Sequence, residues 1–216
     1  MSLPRQLQRA QLIERYLTEH PIRKLQLGAG QNVLPGWLNT DLRPAEPAIC
    51  FLDATVRFPF ADEVFDYVLS EHQFEHISFE QGRFMLHECR RVLRPGGRIR
   101  IATPSLEVLA GLVTEQPTEI QRRYVEFISA GYLPPDTPPG VAGVLNNAFR
   151  NWGHQFLYDR PTLVGALAEA GFVEPVFTEP GQSEHEHLRG VEGHGDFLSD
   201  QEINRFETMV VEARRG

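Results

Sequence analysis

Residues 24–41, KLQLGAGQNVLPGWLNTD, constrain the fold more than any other part of the chain. They comprise a short apolar segment, a Gly-Ala-Gly turn, an irregular connection and a second segment that ends on an acid. Gly28 and Gly30 carry no Cβ, so a ligand can approach the backbone closely, and the acid can bind ribose hydroxyls. The pattern predicts a nucleoside-cofactor pocket, although a Gly-x-Gly after a strand also occurs as a plain tight turn.

The same stretch departs from the fingerprint of dinucleotide-binding proteins. That fingerprint has a third glycine and an acid about 20 residues further on. Here Pro35 and Gly36 interrupt any helix, and Asp41 follows early. The departure argues against a nicotinamide or flavin dehydrogenase.

The rest of the chain shows the alternation typical of an α/β fold with a parallel sheet. Strands are predicted at 25–27, 37–41, 48–52, 65–69, 98–102 and 172–178, with a further strand in the stretch up to about Leu188. Helices are predicted at 4–17, 78–93, 106–114, 120–130, 159–171 and 198–213. Two successive strands are followed by acids, Asp41 and Asp53, and these should lie at the same edge of the sheet.

Capping residues mark two of the helices. Ser78 with Gln81 three residues later predicts a capping box, and Asp159 with Pro161 predicts a second helix start. The interval 103–159 is too long for a plain crossover and predicts a lid or a binding insertion.

Length, charge and cysteine content exclude several classes of protein. The 216 residues suit one well-filled domain, and the formal net charge of -8 argues against a nucleic-acid partner. The arginines at 90, 91, 94, 98 and 100 are interpreted as a solvated helix face. No apolar run suits a membrane span or a signal peptide, so we expect a cytoplasmic protein with Cys50 and Cys89 as buried core residues.

Several motifs in order resemble the class I S-adenosylmethionine-dependent methyltransferases, in particular the small type-11-like group typified by ubiquinone and menaquinone biosynthesis enzymes. They are LGAG at 27–30, PGWLNTD at 35–41, the acid Asp53, FPFADEVFDYVLSEH at 58–72 and RRVLRPGGRIRI at 90–101. The likeness covers residues 24–103, with a weaker match at the GF of 171–172.

The resemblance implies a Rossmann-like α/β fold. Its seven-stranded sheet would be mostly parallel with an antiparallel last strand, and helices would cover both faces. A single domain, 1–216, would comprise an N-terminal helix (1–20), a cofactor-binding half (24–102), a lid or substrate-binding insertion (103–159) and a C-terminal half (160–216).

The resemblance also implies S-adenosyl-L-methionine as cofactor and S-adenosyl-L-homocysteine as product. The glycine turn would face the methionine and ribose, Asp41 the ribose hydroxyls, Asp53 the adenine, and residues 70–72 the sulfonium. The full implied set is Leu27, Gly28, Ala29, Gly30, Asp41, Leu42, Asp53, Ala54, Ser70, Glu71 and His72. As alternatives, Asp41 is a turn acid and Asp53 a helix cap.

Methyl transfer needs alignment of donor and acceptor, and a base only when the acceptor must lose a proton. The candidate bases are His76 first, then His72 and His154, although each also suits an ordinary loop histidine. Tyr158 accompanies His154 as a second candidate. No metal is expected, because the histidines at 185, 187 and 194 with Glu184 and Glu192 match no compact ligand motif.

These observations favour methyl transfer to a small-molecule acceptor, with O-methylation ahead of N- or C-methylation, and a sugar or a biosynthetic intermediate as acceptor. SEHQ stands where enzymes that methylate nucleic-acid amines carry NPPY, which again argues against nucleic acid. One alternative is a non-catalytic S-adenosylmethionine-binding or regulatory protein. An aminopropyltransferase is disfavoured because the sequence has no acidic tract suited to a polyamine.

Overall fold

The computed structural model describes residues 3–216, with side chains from residue 7 onward; Met1 and Ser2, the start of the predicted 1–20 segment, lie outside it. Its strands are β1 (Lys24–Leu27), β2 (Leu38–Asp41), β3 (Cys50–Phe51), β4 (Phe65–Glu71), β5 (Leu93–Pro104), β6 (Phe172–Thr178) and β7 (Thr208–Arg215). Its helices are α1 (Leu3–Glu19), α2 (Phe79–Val92), α3 (Leu106–Ala110), α4 (Glu119–Gly131), α5 (Val141–Arg150), α6 (Arg160–Glu169), α7 (His194–Leu198) and α8 (Gln201–Glu207).

The seven strands form one sheet in the order β3-β2-β1-β4-β5-β7-β6. The pairs from β3 to β5 are parallel, whereas β7 runs antiparallel to both β5 and β6. The order in which strands are added to the sheet reverses between β1 and β4, because β2 and β3 lie on one side of β1 and the later strands on the other. Such a switch point opens a crevice beyond the carboxyl ends of the strands. The predicted fold class is confirmed.

Helix α1 is fixed to the start of β1 by one tyrosine. The Tyr16 hydroxyl donates to the Lys24 carbonyl (2.9 Å) and accepts from the Lys24 amide (2.7 Å). Its ring stacks on His20 with centroids 4.3 Å apart. Burial raises the pKa of Tyr16, so the phenol stays protonated and can donate at neutral pH.

Both predicted caps are confirmed. The Ser78 hydroxyl accepts from the Gln81 amide, and the Gln81 side chain accepts in return from the Ser78 amide (2.9 Å), which starts α2. Asp159 accepts from the Thr162 amide (2.9 Å) and starts α6. Cys50 and Cys89 are free and buried, as expected.

Two predictions near the C-terminus are wrong. The stretch 182–188 contains no strand but a single 3₁₀ turn, Glu186–Leu188. The predicted helix 198–213 stops at Glu207, and the chain continues as β7. Val210 and Val211 are β-branched, and antiparallel pairing with β5 buries both of them, which outweighs the weak helical spacing.

The interpretation of the arginine cluster as a solvated helix face is wrong for Arg91 and Arg100. Arg100 is fully buried on the sheet, where it contacts the carboxylates of Glu192 and Glu212 and donates to the Gln182 carbonyl (2.9 Å). Arg91 lies in a network with Glu88 and the loop before β4. These arginines tie loops to the sheet.

Residues 105–157 form α3, α4 and α5 and build a second core beside the sheet. Its buried members include Leu109, Tyr124, Ile128 and Val144, with Ile203 from α8. The segment rejoins the sheet edge where Ser105 and Tyr158 form an isolated parallel bridge. The insertion therefore packs over the carboxyl ends of the strands. Among the described residues, no helix is long and apolar enough to cross a bilayer.

Candidate active site

The glycine turn after β1 has a left-handed backbone conformation and is hydrogen-bonded to β2. Gly28 and Gly30 have φ values of 68° and 51°, in the left-handed region that favours glycine. The Ala29 amide donates to the Thr40 carbonyl (2.9 Å), and the Gly30 amide donates to Asp41 Oδ2 (2.9 Å). A Cβ added at Gly30 would enter open space, so this side of the turn is free to face a ligand.

The two acids at the ends of neighbouring strands also stabilise turns. Asp41 accepts from the Arg43 amide through Oδ1 (2.6 Å), in addition to the Gly30 bond. Asp53 accepts from the Thr55 amide (2.9 Å) and hydroxyl (2.6 Å), both through Oδ1. A carboxylate offers about four acceptor positions, so both acids keep acceptor capacity for a ligand. Beside them, Leu42 is exposed and Ala54 is buried.

The end of β4 supports a segment that covers the glycine turn. Glu71 accepts from the Asn32 side chain (2.9 Å) and from the amides of Gly193 and His194 (2.8 Å each). Ser70 is buried and donates to the Gln73 side chain (3.1 Å). The sequence did not reveal the contacts of Glu71 with Gly193 and His194, because they join residues more than 120 positions apart.

A pocket of about 570 Å³ lies between the turn and this covering segment. Its walls are residues 28–32, Glu71 and His72, and four residues in and next to α7, namely Gly193, His194, Asp196 and Phe197. Of the predicted cofactor-binding residues, it brings together Gly28, Ala29, Gly30, Glu71 and His72. Leu27, Asp41, Leu42, Asp53, Ala54 and Ser70 do not line it.

His72 is engaged at both ring nitrogens. Nε2 lies 3.0 Å from the Thr208 hydroxyl and Nδ1 lies 3.3 Å from Glu75 Oε1, while the ring stacks on His194 at 3.7 Å. Burial alone would lower the pKa of His72, but Glu75 and the nearby carboxylates raise it above its usual value. Burial would likewise raise the pKa of Glu75, yet the facing His72 lowers it. The two side chains thus form a buried ion pair.

A second, more enclosed pocket of about 200 Å³ lies between the sheet edge and the insertion. It contains every histidine predicted as a base, His72, His76 and His154. Its remaining polar and aromatic walls are Glu75, His194, Glu207, Tyr124, Tyr132, Trp152 and Phe197. Glu207 accepts from the Tyr124 hydroxyl (2.7 Å). The sequence did not predict this contact, because residues 198–213 were predicted as one helix.

His76 and His154 face each other in this pocket, with ring centroids 5.0 Å apart at 67°. His154 Nδ1 lies 2.8 Å from the Ala148 carbonyl, so Nδ1 carries the proton and Nε2 keeps its lone pair. Burial lowers the pKa of His154, which favours the neutral ring. Tyr158, predicted as its companion, is instead buried in the main core, where it stacks on Phe74.

The histidines at 185, 187 and 194 do not converge with Glu184 and Glu192. Glu192 pairs with Arg100, His187 packs against Tyr67 and His194 stacks on His72.

Comparison with known proteins agrees with this architecture. Residues 35–101 match the family described as "Methyltransferase domain". This match, over about a third of the chain, and the order of the strands both agree with a methyltransferase domain of the Rossmann-like class I fold. No curated protein matches the chain significantly.

Solved methyltransferase structures share the fold at low identity. A protein from Archaeoglobus fulgidus is 15% identical with a TM-score of 0.52, and the match covers 98% of this chain and 94% of that one. A protein from Mesorhizobium loti is 15% identical with a TM-score of 0.50, over 96% and 98% of the two chains. A Thermotoga maritima protein described as a possible histamine N-methyltransferase is 15% identical with a TM-score of 0.50, over 98% and 91%.

Proposed function

We propose that this chain is a methyltransferase that takes its methyl group from S-adenosylmethionine and acts on a small-molecule acceptor held in the 200 Å³ pocket, with a hydroxyl oxygen as the favoured acceptor atom. One observation carries the proposal: His72, His194 and Phe197 line both pockets. The two pockets therefore meet at this wall. A donor in the larger pocket and an acceptor in the smaller one would face each other there.

The larger pocket and the acids beside it suit the donor. Residues 27–30 would lie along the methionine and ribose, since the missing Cβ of Gly30 leaves room. Asp41 would bind the ribose hydroxyls with its remaining acceptor positions, and Asp53 with Leu42 and Ala54 would bind the adenine. Glu71 would act mainly through the covering segment that it holds, with Ser70 supporting the strand end.

The donor supplies an electrophilic methyl group on its sulfonium. The chain's own residues then need to align the acceptor and exclude water. The enclosing side chains Tyr132, Trp152 and Phe197 suit this role, because they are large and line the smaller pocket.

A hydroxyl acceptor must lose its proton to a group on the pocket wall, and the candidates are His76, His154 and His72. Nε2 of His154 has a free lone pair, which suits a proton acceptor. His72 suits it less well, because both of its ring nitrogens already have partners. His72 is better placed to orient Glu75 and the donor-facing wall.

The acidic net charge of -8 supports a small acceptor rather than nucleic acid, and the unpaired buried cysteines fit our proposal of a cytoplasmic location. The second candidate function is a regulatory protein that binds S-adenosylmethionine without turnover. The burial of His72 and Glu75 as a closed ion pair is the observation that favours it.

Methyl transfer can be measured with donor carrying a labelled methyl group and a panel of small alcohols, phenols, sugars, amines and carboxylic acids. We expect label in at least one hydroxyl-bearing compound, and we expect the Trp152→Ala variant to raise the KM for that compound more than the KM for the donor. Transfer only to amines would contradict O-methylation. Tight donor binding with no transfer to any class would support the regulatory alternative.

A further inference from the structure

We propose that Glu75, His76 and His154 bind a divalent transition-metal ion on the wall of the acceptor pocket. Each of the three offers one ligand atom, and these atoms lie within 4.8 Å of one another. All three side chains line the enclosed pocket of about 200 Å³. The proposal departs from the sequence-based expectation of no metal, which considered only the histidines near residue 190.

Glu75 supplies a buried carboxylate oxygen that needs a partner. Its side chain has no exposed surface, and Oε2 accepts from the Thr103 hydroxyl (3.0 Å). Among the described residues, Oε1 receives no aligned hydrogen bond, although His72 Nδ1 lies 3.3 Å away at ion-pair distance. The ion pair with His72 therefore leaves Oε1 without an aligned hydrogen-bond donor, and a cation bound at Oε1 would offset the cost of that incomplete pairing.

His154 has the arrangement typical of a metal-binding histidine. Its Nδ1–H donates to the Ala148 carbonyl (2.8 Å), which fixes the ring and leaves the Nε2 lone pair available. Histidine ligands almost always donate their other N–H to a carbonyl or carboxylate in this way.

The backbone before His154 turns sharply to bring its ring beside His76. Trp152 and Gly153 have φ values of 58° and 83°. A tryptophan in the left-handed region is strained, and such strain clusters at functional sites. Gly153 also lies against His76: a Cβ there would be 3.5 Å from His76 Nδ1.

A neighbouring trio, His72, His194 and Glu207, also places its ligand atoms within 4.8 Å, but it is the weaker candidate. Both nitrogens of His72 have partners, and its ring stacks flat on His194 at 3.7 Å. Glu207 already accepts from Tyr124. We therefore assign the ion to Glu75, His76 and His154 alone.

Two imidazoles and one carboxylate favour Zn²⁺, Fe²⁺ or Mn²⁺ over Mg²⁺ and Ca²⁺, which prefer oxygen ligands. Bonds of about 2.0 Å would bring the ligand atoms to roughly 3.3 Å from one another, a small side-chain adjustment. The remaining coordination positions would face the pocket.

The role of the ion, though not its binding, rests on the proposed function. A hydroxyl bound to the ion has a lower pKa, so it would release its proton to water, after which its oxygen would attack the donor's methyl carbon and S-adenosylhomocysteine would leave. His76 and His154 would then hold the ion and would not themselves accept the proton.

The test uses the untagged protein after a chelator has removed any bound metal. One titration adds Co²⁺ and monitors the visible absorption of the bound ion. A second titration adds Zn²⁺ and measures the heat of binding by calorimetry. We expect one ion per chain in the wild type. Glu75→Gln and His154→Ala should each weaken binding at least about tenfold. His194→Ala, from the neighbouring trio, and the exposed His87→Ala should bind as the wild type does.

The circular dichroism spectrum and thermal unfolding of each variant, measured on the same samples, show whether it is folded. Should Glu75→Gln fail to fold, His154→Ala still tests the site. Wild-type protein without a saturable site, or loss of binding in His194→Ala with retention in Glu75→Gln and His154→Ala, would overturn the assignment. Metal binding without methyl transfer to any acceptor would remove the proposed function and leave the metal site intact. Methyl transfer by a protein that binds no metal would support the proposed function and overturn the metal site.

Discussion

Replacing Arg100 with alanine is expected to lower the free energy of unfolding by about 3–5 kcal/mol, a cost typical of breaking a buried ion pair. Arg100 has no exposed surface, and the side chains of its partners Glu192 and Glu212 are 4% and 8% exposed. Without the guanidinium, two carboxylates would stay buried with no opposing charge. Urea unfolding followed by circular dichroism at neutral pH would measure the loss.

The matched control is Arg214→Ala. Arg214 pairs with Glu174 at the surface, where the two side chains are 34% and 59% exposed, so its loss should cost much less stability than the loss of Arg100. Equal effects of the two substitutions would mean that Arg100 does not stabilise the sheet as described. Because Glu192 precedes the segment that covers the glycine turn, Arg100→Ala should also weaken donor binding.

The second large effect is expected from Gly28→Ala, at about 2–5 kcal/mol of unfolding free energy. The left-handed φ of 68° costs an alanine about 1–2 kcal/mol. The added Cβ would lie 2.5 Å and 2.7 Å from Cγ and Cβ of Gln73, and such overpacking typically costs a further 1–3 kcal/mol. Relief of this clash would displace the turn or Gln73, so donor affinity should fall as well.

The control Gly96→Ala separates the cost of the left-handed backbone from the cost of the contact with Gln73. Gly96 has a similar φ of 77°, but a Cβ there would meet nothing within 4 Å. Its substitution should therefore cost only the backbone part and leave donor affinity unchanged. If Gly28→Ala and Gly96→Ala had the same effect on stability, the contact with Gln73 would contribute nothing.

The fold of residues 24–102 was predictable because its signals are local. The strand before Gly28, the acid at position 41 and the capping box at Ser78 each follow from residues within a few positions of one another. A parallel sheet then brings the strand ends together without further information. The early acid and the missing third glycine depart from a dinucleotide site and agree with the match of residues 35–101 to methyltransferase domains.

The C-terminal part was not predictable because long-range contacts decide its structure. Residues 208–215 have a weak helical spacing, but pairing with β5 and the contact of Glu212 with Arg100 make them a strand. The contact of Glu71 with the amides of Gly193 and His194 likewise joins distant residues. No sequence motif marks such a contact, so the segment that covers the glycine turn was missed.

Isothermal titration of wild-type protein with S-adenosylmethionine, beside Asp41→Ala and Asp136→Ala, tests most directly whether the donor binds at the glycine turn. We expect saturable binding to the wild type and none of NAD. Asp41→Ala should bind about 10–100-fold more weakly, as expected for lost hydrogen bonds to a charged group. Asp136, exposed in the insertion, should have no effect when replaced. Unchanged affinity in Asp41→Ala, or preference for NAD, would contradict the account.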